Sequence, residues 1–187
     1  MTTYSSQCDR TLKIFIIVSL VLTCIIGVLM HYAYEFSGKS AWVSLISPIN
    51  ESTWEHLKLL FFPLLIVSIP SYLILLSGKR EETFSSQFFT GNLFGVLGGM
   101  FFMVVAFYTL SGVIGKHLIP IDIAIFFVSV LLEHIIFYNW LCPRRTHIST
   151  PLPVWAALMF WIILAAFFFL FTFIKPPIGL FADPLEI

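Results

Sequence analysis

Charged side chains are what this sequence has least of. Asp, Glu, Lys and Arg make up 11% of its 187 residues, where a soluble domain carries about 25%. With 59% hydrophobic residues and a mean hydropathy of +0.97, the solvent for most of the chain is lipid. Basic and acidic residues balance at 10 each and no basic block occurs. That excludes a nucleic-acid partner, which needs a patch that neutralises phosphates. Cysteine is scarce as well. Cys8, Cys24 and Cys142 are too few and too scattered for a disulfide framework or a zinc motif; Cys24 reads as a small core residue, and Cys142 with His147 as an anchor at a span end. No G-x-S-x-G, no H-E-x-x-H and no pair of histidines at i, i+4 is present, so the serine-hydrolase and zincin signatures are missing.

What the chain does have is length in its apolar runs. Five stretches, about 13–36, 49–77, 87–113, 119–141 and 152–175, reach the roughly 20 residues that a helix needs to cross a bilayer. Arg10 and Lys13 precede the first run, which exceeds a signal-peptide core and lacks an A-x-A-like site after it; it reads as a retained span. The expectation is an all-α, polytopic transmembrane helical bundle, a single domain over 1–187. Six basic residues, Arg10, Lys13, Lys79, Arg80, Arg144 and Arg145, fall at one end. Lys39, Lys116 and Lys175 fall at the other, with Lys58 close to it. This bias predicts a cytoplasmic N-terminus and an outside C-terminus. Glu81 and Glu82 hardly count in that rule. Pro63 and Pro70 are expected to bend the second span. Gly91, Gly95 and Gly99 at four-residue spacing allow close helix approach, either inside this bundle or in a homodimer.

The ionisable residues bunch at one boundary. Ser47-Pro48 suits a helix start, and a helix beginning there would place Glu51, Glu55 and Lys58 on one face, with His56 about 100° round from Glu55. His31 and Glu35 close the first span at i, i+4. Carboxylates stacked one turn apart repel unless a cation, a proton or a donor joins them. Glu35 also sits against the negative end of its helix, which calls for compensation, whereas Glu51 at a helix N-terminus is favoured there. His31, Glu35, Glu51, Glu55 and His56 are therefore candidate ligands of a divalent metal ion such as zinc, carboxylate with imidazole favouring a transition metal. Asn50, Glu51, Lys58 and Asp122 are candidate contacts to a ligand. Asp122, Ser129 and Glu133 follow one face of the fourth span, with His117 ahead of them and His134 and Tyr138 beside them. Asp122 and Glu133 are about 16 Å apart along a helix, too far to share one ion, so Glu133 with His134 makes a second, deeper cluster. An acid near mid-bilayer must be protonated, paired or wet. Glu55, Glu133 and His134 are the candidate acid–base residues.

The run SPINESTWEHLKLLFFP, with HYAYEFSG before it, resembles small bacterial multi-pass membrane proteins, mostly from Gram-positive lineages, that carry an S-P-x-N-E-S-x-W-E-H-x-K-L motif and have no assigned activity. The resemblance implies a shared site at His31, Glu35, Asn50, Glu51, Glu55, His56 and Lys58, without implying its chemistry. Four functions fit these residues. The first is binding of a metal cation or polar headgroup near the outer leaflet. The second is a metal-assisted hydrolase or transferase acting on a lipid, with a carboxylate as general base. The third is a small proton-coupled transporter using Glu133, and the fourth a structural or partner subunit.

Overall fold

The computed structural model describes residues 10–76, 83–116, 118–142 and 150–183. Basic loop residues such as Lys79, Arg80, Arg144 and Arg145, with Glu81, Glu82, His117 and His147, lie outside them. The described residues form helices and loops without a strand: α1 (Arg10–Phe36), α2 (Ala41–Ser44), α3 (Thr53–Leu76), α4 (Phe84–Ile114), α5 (Ile119–Leu141) and α6 (Val154–Phe173), then a 3-10 turn at Gly179–Phe181. Five of these, all but α2, are long and apolar enough to cross a membrane. Their bounds follow the apolar runs in the sequence, as a lipid solvent requires.

The helix ends carry recognisable stops. α1 closes where Lys39 N–H bonds to Tyr34 O at 3.0 Å and Gly38 N–H to Glu35 O at 3.1 Å, a Schellman pattern that needs the left-handed φ of +69° at Gly38. α3 begins at Thr53, six residues later than Ser47, which corrects the expected start. Ser52 is the cap instead: its Oγ accepts the Glu55 N–H at 3.4 Å, and its carbonyl accepts the first helical bond from His56 at 3.2 Å. Ser52-Thr-Trp-Glu55 is thus the capping sequence that competes with Ser47-Pro48 and wins. Ser47 ties the loop back to α1, its hydroxyl donating to Met30 O and accepting the Tyr34 N–H at 3.2 Å.

Packing follows the small residues. α4 lies against α5 along Gly91, Gly95, Gly98 and Gly99; a Cβ at Gly91 would meet Trp140 at 2.8 Å, and one at Gly95 the Glu133 carbonyl oxygen at 2.7 Å. The three glycines expected to serve either the bundle or a homodimer are therefore covered by this chain's own α5. α1 packs on α3 and α5, and α3 and α6 pack on α4. Pro63 removes the N–H that would bond Leu59 O. Gly27 of α1 lies over that carbonyl, where a Cβ would stand 3.0 Å from the oxygen and 2.6 Å from the Phe126 ring. α6 docks through aromatic contacts, Phe61 with Trp161 at 5.1 Å and Trp54 with Phe168 at 5.0 Å. After α6 the chain folds back, setting Phe181 on Trp54 at 4.9 Å between ring centroids.

Candidate functional site

Because α3 starts at Thr53, Glu51 belongs to the loop and not to the helix face expected for it. The loop carries its carboxylate towards α1, where His31 stands in the next-to-last turn, and towards His56 in the first turn of α3. Glu51 Oε2 is 3.4 Å from His56 Nε2 and Oε1 is 4.0 Å from His31 Nε2. The two imidazole rings are 5.4 Å apart. One ligand atom from each of the three residues lies within 4.8 Å of the others. They border a cavity of about 380 Å3 whose wall also includes Asp122 and Ile119 from α5 and Met103 and Phe107 from α4. The cavity is apolar on its α4 side and over Ile119, Ile125 and Phe126 of α5, and polar at Asp122 and at the loop.

Hydrogen bonds orient the group. His56 Nδ1 is 3.0 Å from Ser52 O, so this nitrogen is the donor and Nε2 is the atom presented to Glu51. His31 Nδ1 is buried and has no hydrogen-bond partner among the described residues. The backbone N–H of Glu51 donates to Asp183 Oδ2 at 3.2 Å, and Asn50 Oδ1 accepts the Ser52 N–H at 3.2 Å and the Ser52 hydroxyl at 2.8 Å. The hydrogen bond from His56 holds the Glu51 carboxyl below the usual carboxylate range; partial burial opposes this, and the charges of His56 and His31 add to it. Among the described residues, His31, Glu51 and His56 are the only group of three His, Cys, Asp or Glu that can hold a metal ion. Without an ion, the same group is a His56–Glu51 ion pair beside a second imidazole.

The other expected residues go elsewhere. Glu35 is 65% exposed and pairs with Lys39 at 3.6 Å, which supplies the compensation its helix end requires. Glu55 and Lys58 form a separate buried pair with Oε2 to Nζ at 2.7 Å and exposures of 1% and 0%. Lys58 also donates to Ser44 O at 2.8 Å and to Thr172 Oγ1 at 2.7 Å, while Glu55 Oε2 accepts the Ile49 N–H at 3.1 Å. Lys58 is thus used up by Glu55 and does not reach Glu133. Asn50 serves the turn before α3. Asp122 lines the cavity. Glu133 is fully buried at the glycine seam of α4, with no hydrogen-bond partner on either carboxyl oxygen among the described residues. His134 is engaged on both ring nitrogens, Nε2 with Ser19 Oγ at 3.1 Å and Nδ1 with Val130 O at 2.9 Å. The deeper pair expected from sequence is therefore two residues on different interfaces, one towards α4 and one towards α1. Ser44, Thr172 and Asp183 escaped sequence reasoning; Thr172 had a signal, as a hydroxyl in a span without an ionisable group.

A family described as a family of unknown function (DUF6512) matches residues 4–186, nearly the whole chain. No curated protein matches and no solved structure matches.

Proposed function

Because the chain belongs to this family of unknown function, its role has to be read from its own side chains, and we propose that it is a membrane protein that binds a divalent transition-metal ion such as zinc through His31, Glu51 and His56. The observation that carries this reading is the convergence of three ligand atoms, from α1, the loop and α3, within 4.8 Å. The bond from His56 Nδ1 to Ser52 O supports it, because a ligating imidazole is commonly held through its other nitrogen. Two imidazoles and one carboxylate favour a transition metal over Ca2+ or Mg2+. Three protein ligands would leave such an ion able to take a further ligand from the adjoining cavity. Metal analysis of the purified protein, followed by Zn2+ titration, tests the reading. Near-stoichiometric metal in the wild type, lost in Glu51→Gln and His56→Ala and kept in Glu35→Gln, is the expected pattern. A wild type that neither retains nor takes up metal ends it and leaves the ion pair alone.

The open position beside an apolar wall also favours a second reading, metal-assisted hydrolysis of a lipid. The ion would supply Lewis acidity, and Asp122 lines the cavity wall alongside the candidate ligand Glu51. Glu55, Glu133 and His134 do not line that cavity; with Glu51 taken as a ligand, Asp122 is the carboxylate of the lining that would act as base. Turnover of a lipid extract that disappears in Asp122→Asn while metal stays bound selects this reading over simple binding.

A further inference from the structure

At the end of the bundle opposite the metal group, α1 and α5 part to leave a groove of about 340 Å3. Lys13 and Tyr138 stand at its mouth, and Ile17 and Leu20 of α1 face Leu131 and Ile135 of α5 along its length. From Lys13 to Leu20 is seven residues, about 10 Å of helix. The groove is thus cationic at the bilayer boundary and apolar below it, the profile of an amphiphile. His134 forms part of its wall with both ring nitrogens already bonded, so it is not the polar partner of an occupant. Arg10 lies one turn before Lys13, and neither carries an ion pair among the described residues. Basic pockets between spans at a membrane boundary attract anionic lipid headgroups.

We propose that this groove binds an anionic phospholipid, with the phosphate against Lys13 and one acyl chain laid between α1 and α5. The site is independent of the metal reading and stands or falls separately. The test is native mass spectrometry of protein reconstituted in equal amounts of phosphatidylglycerol and phosphatidylcholine. Wild type is expected to retain phosphatidylglycerol preferentially. Lys13→Gln, an exposed position, is expected to weaken that preference about fivefold, the worth of one lysine at an anionic membrane surface. Ile17→Trp, also exposed, fills the groove and should lower retention of the bound lipid with Lys13 intact. Equal retention of the two lipids, or an unchanged preference in Lys13→Gln, overturns the proposal. So does displacement of the lipid by glycerol 3-phosphate, which would make the headgroup alone the ligand.

Discussion

At Glu51 the hydrogen bond from His56 outweighs partial burial and lowers the carboxyl's pKa. A carboxylate lowered on folding contributes stability that is present above its unfolded pKa and is lost as pH falls through the folded one. With 44% of the side chain exposed, solvent screens most of that contribution, so metal affinity is the sharper readout. Protons and metal compete for the same ligand atoms. Zn2+ affinity is therefore expected to fall with pH in two stages, first as the imidazoles take up protons and then, below the usual carboxylate range, as Glu51 does. Glu51→Gln should lack the second stage. Identical pH profiles for the two proteins would remove Glu51 from the site. At this scale the sequence was legible in part: His31, Glu51 and His56 were all candidates for metal, and they meet. Glu35 and Glu55 were candidates for the same reason, their charge near the same boundary, but charge alone does not say which way a side chain leaves its helix.

Among the elements, the start of α3 decides most. Two capping sequences lie five residues apart, and periodicity cannot rank them; the hydrogen bonds of Ser47 to α1 and of Ser52 to Glu55 do. Starting α3 late splits Glu51 from Glu55 and gives each its own partners. The Glu55–Lys58 pair then joins three pieces of chain, holding the α2 segment through Ser44 O and α6 through Thr172, and it holds the Glu51 loop through Ile49. Breaking one member of such a buried pair costs about 3–5 kcal/mol, because the other charge is stranded, whereas replacing both by apolar residues is often neutral. Lys58→Met is thus expected to destabilise strongly in thermal unfolding in detergent and to loosen metal binding. The double variant Glu55→Leu/Lys58→Met should recover most of the stability. It should recover less of the metal affinity, since the bond to Ile49 is gone. Equal recovery of both would mean that the pair does not position Glu51.

For the whole molecule, the span count came straight from hydropathy, since a lipid solvent leaves the backbone few options. Which spans touch was not legible, because glycines at four-residue spacing fit a neighbour in the chain or in another copy equally well. The direction of insertion is a separate question. The basic residues favour a cytoplasmic N-terminus, which would put His31, Glu51 and His56 on the outer side. Single cysteines at Lys39 and Thr83, in a background without native cysteines, decide the matter. With an impermeant maleimide on intact cells, Lys39→Cys should label and Thr83→Cys should not; the reverse pattern inverts the protein.

Gly27, lying over the carbonyl that Pro63 leaves without its helical bond, has a bearing on the imidazoles above it. His31 is four residues along α1 from Gly27, and His56 is three residues along α3 from Leu59, so both residues stand about one turn, roughly 4.5–6 Å along their helices, from a single contact point. That contact helps set how closely α1 lies on α3. A side chain at Gly27 would wedge α1 off α3, and the gap across which the two histidines face one another would widen with it. The spacing of the polar cluster is in this sense set from below, in the dry part of the bundle, by a residue that has no polar side chain of its own.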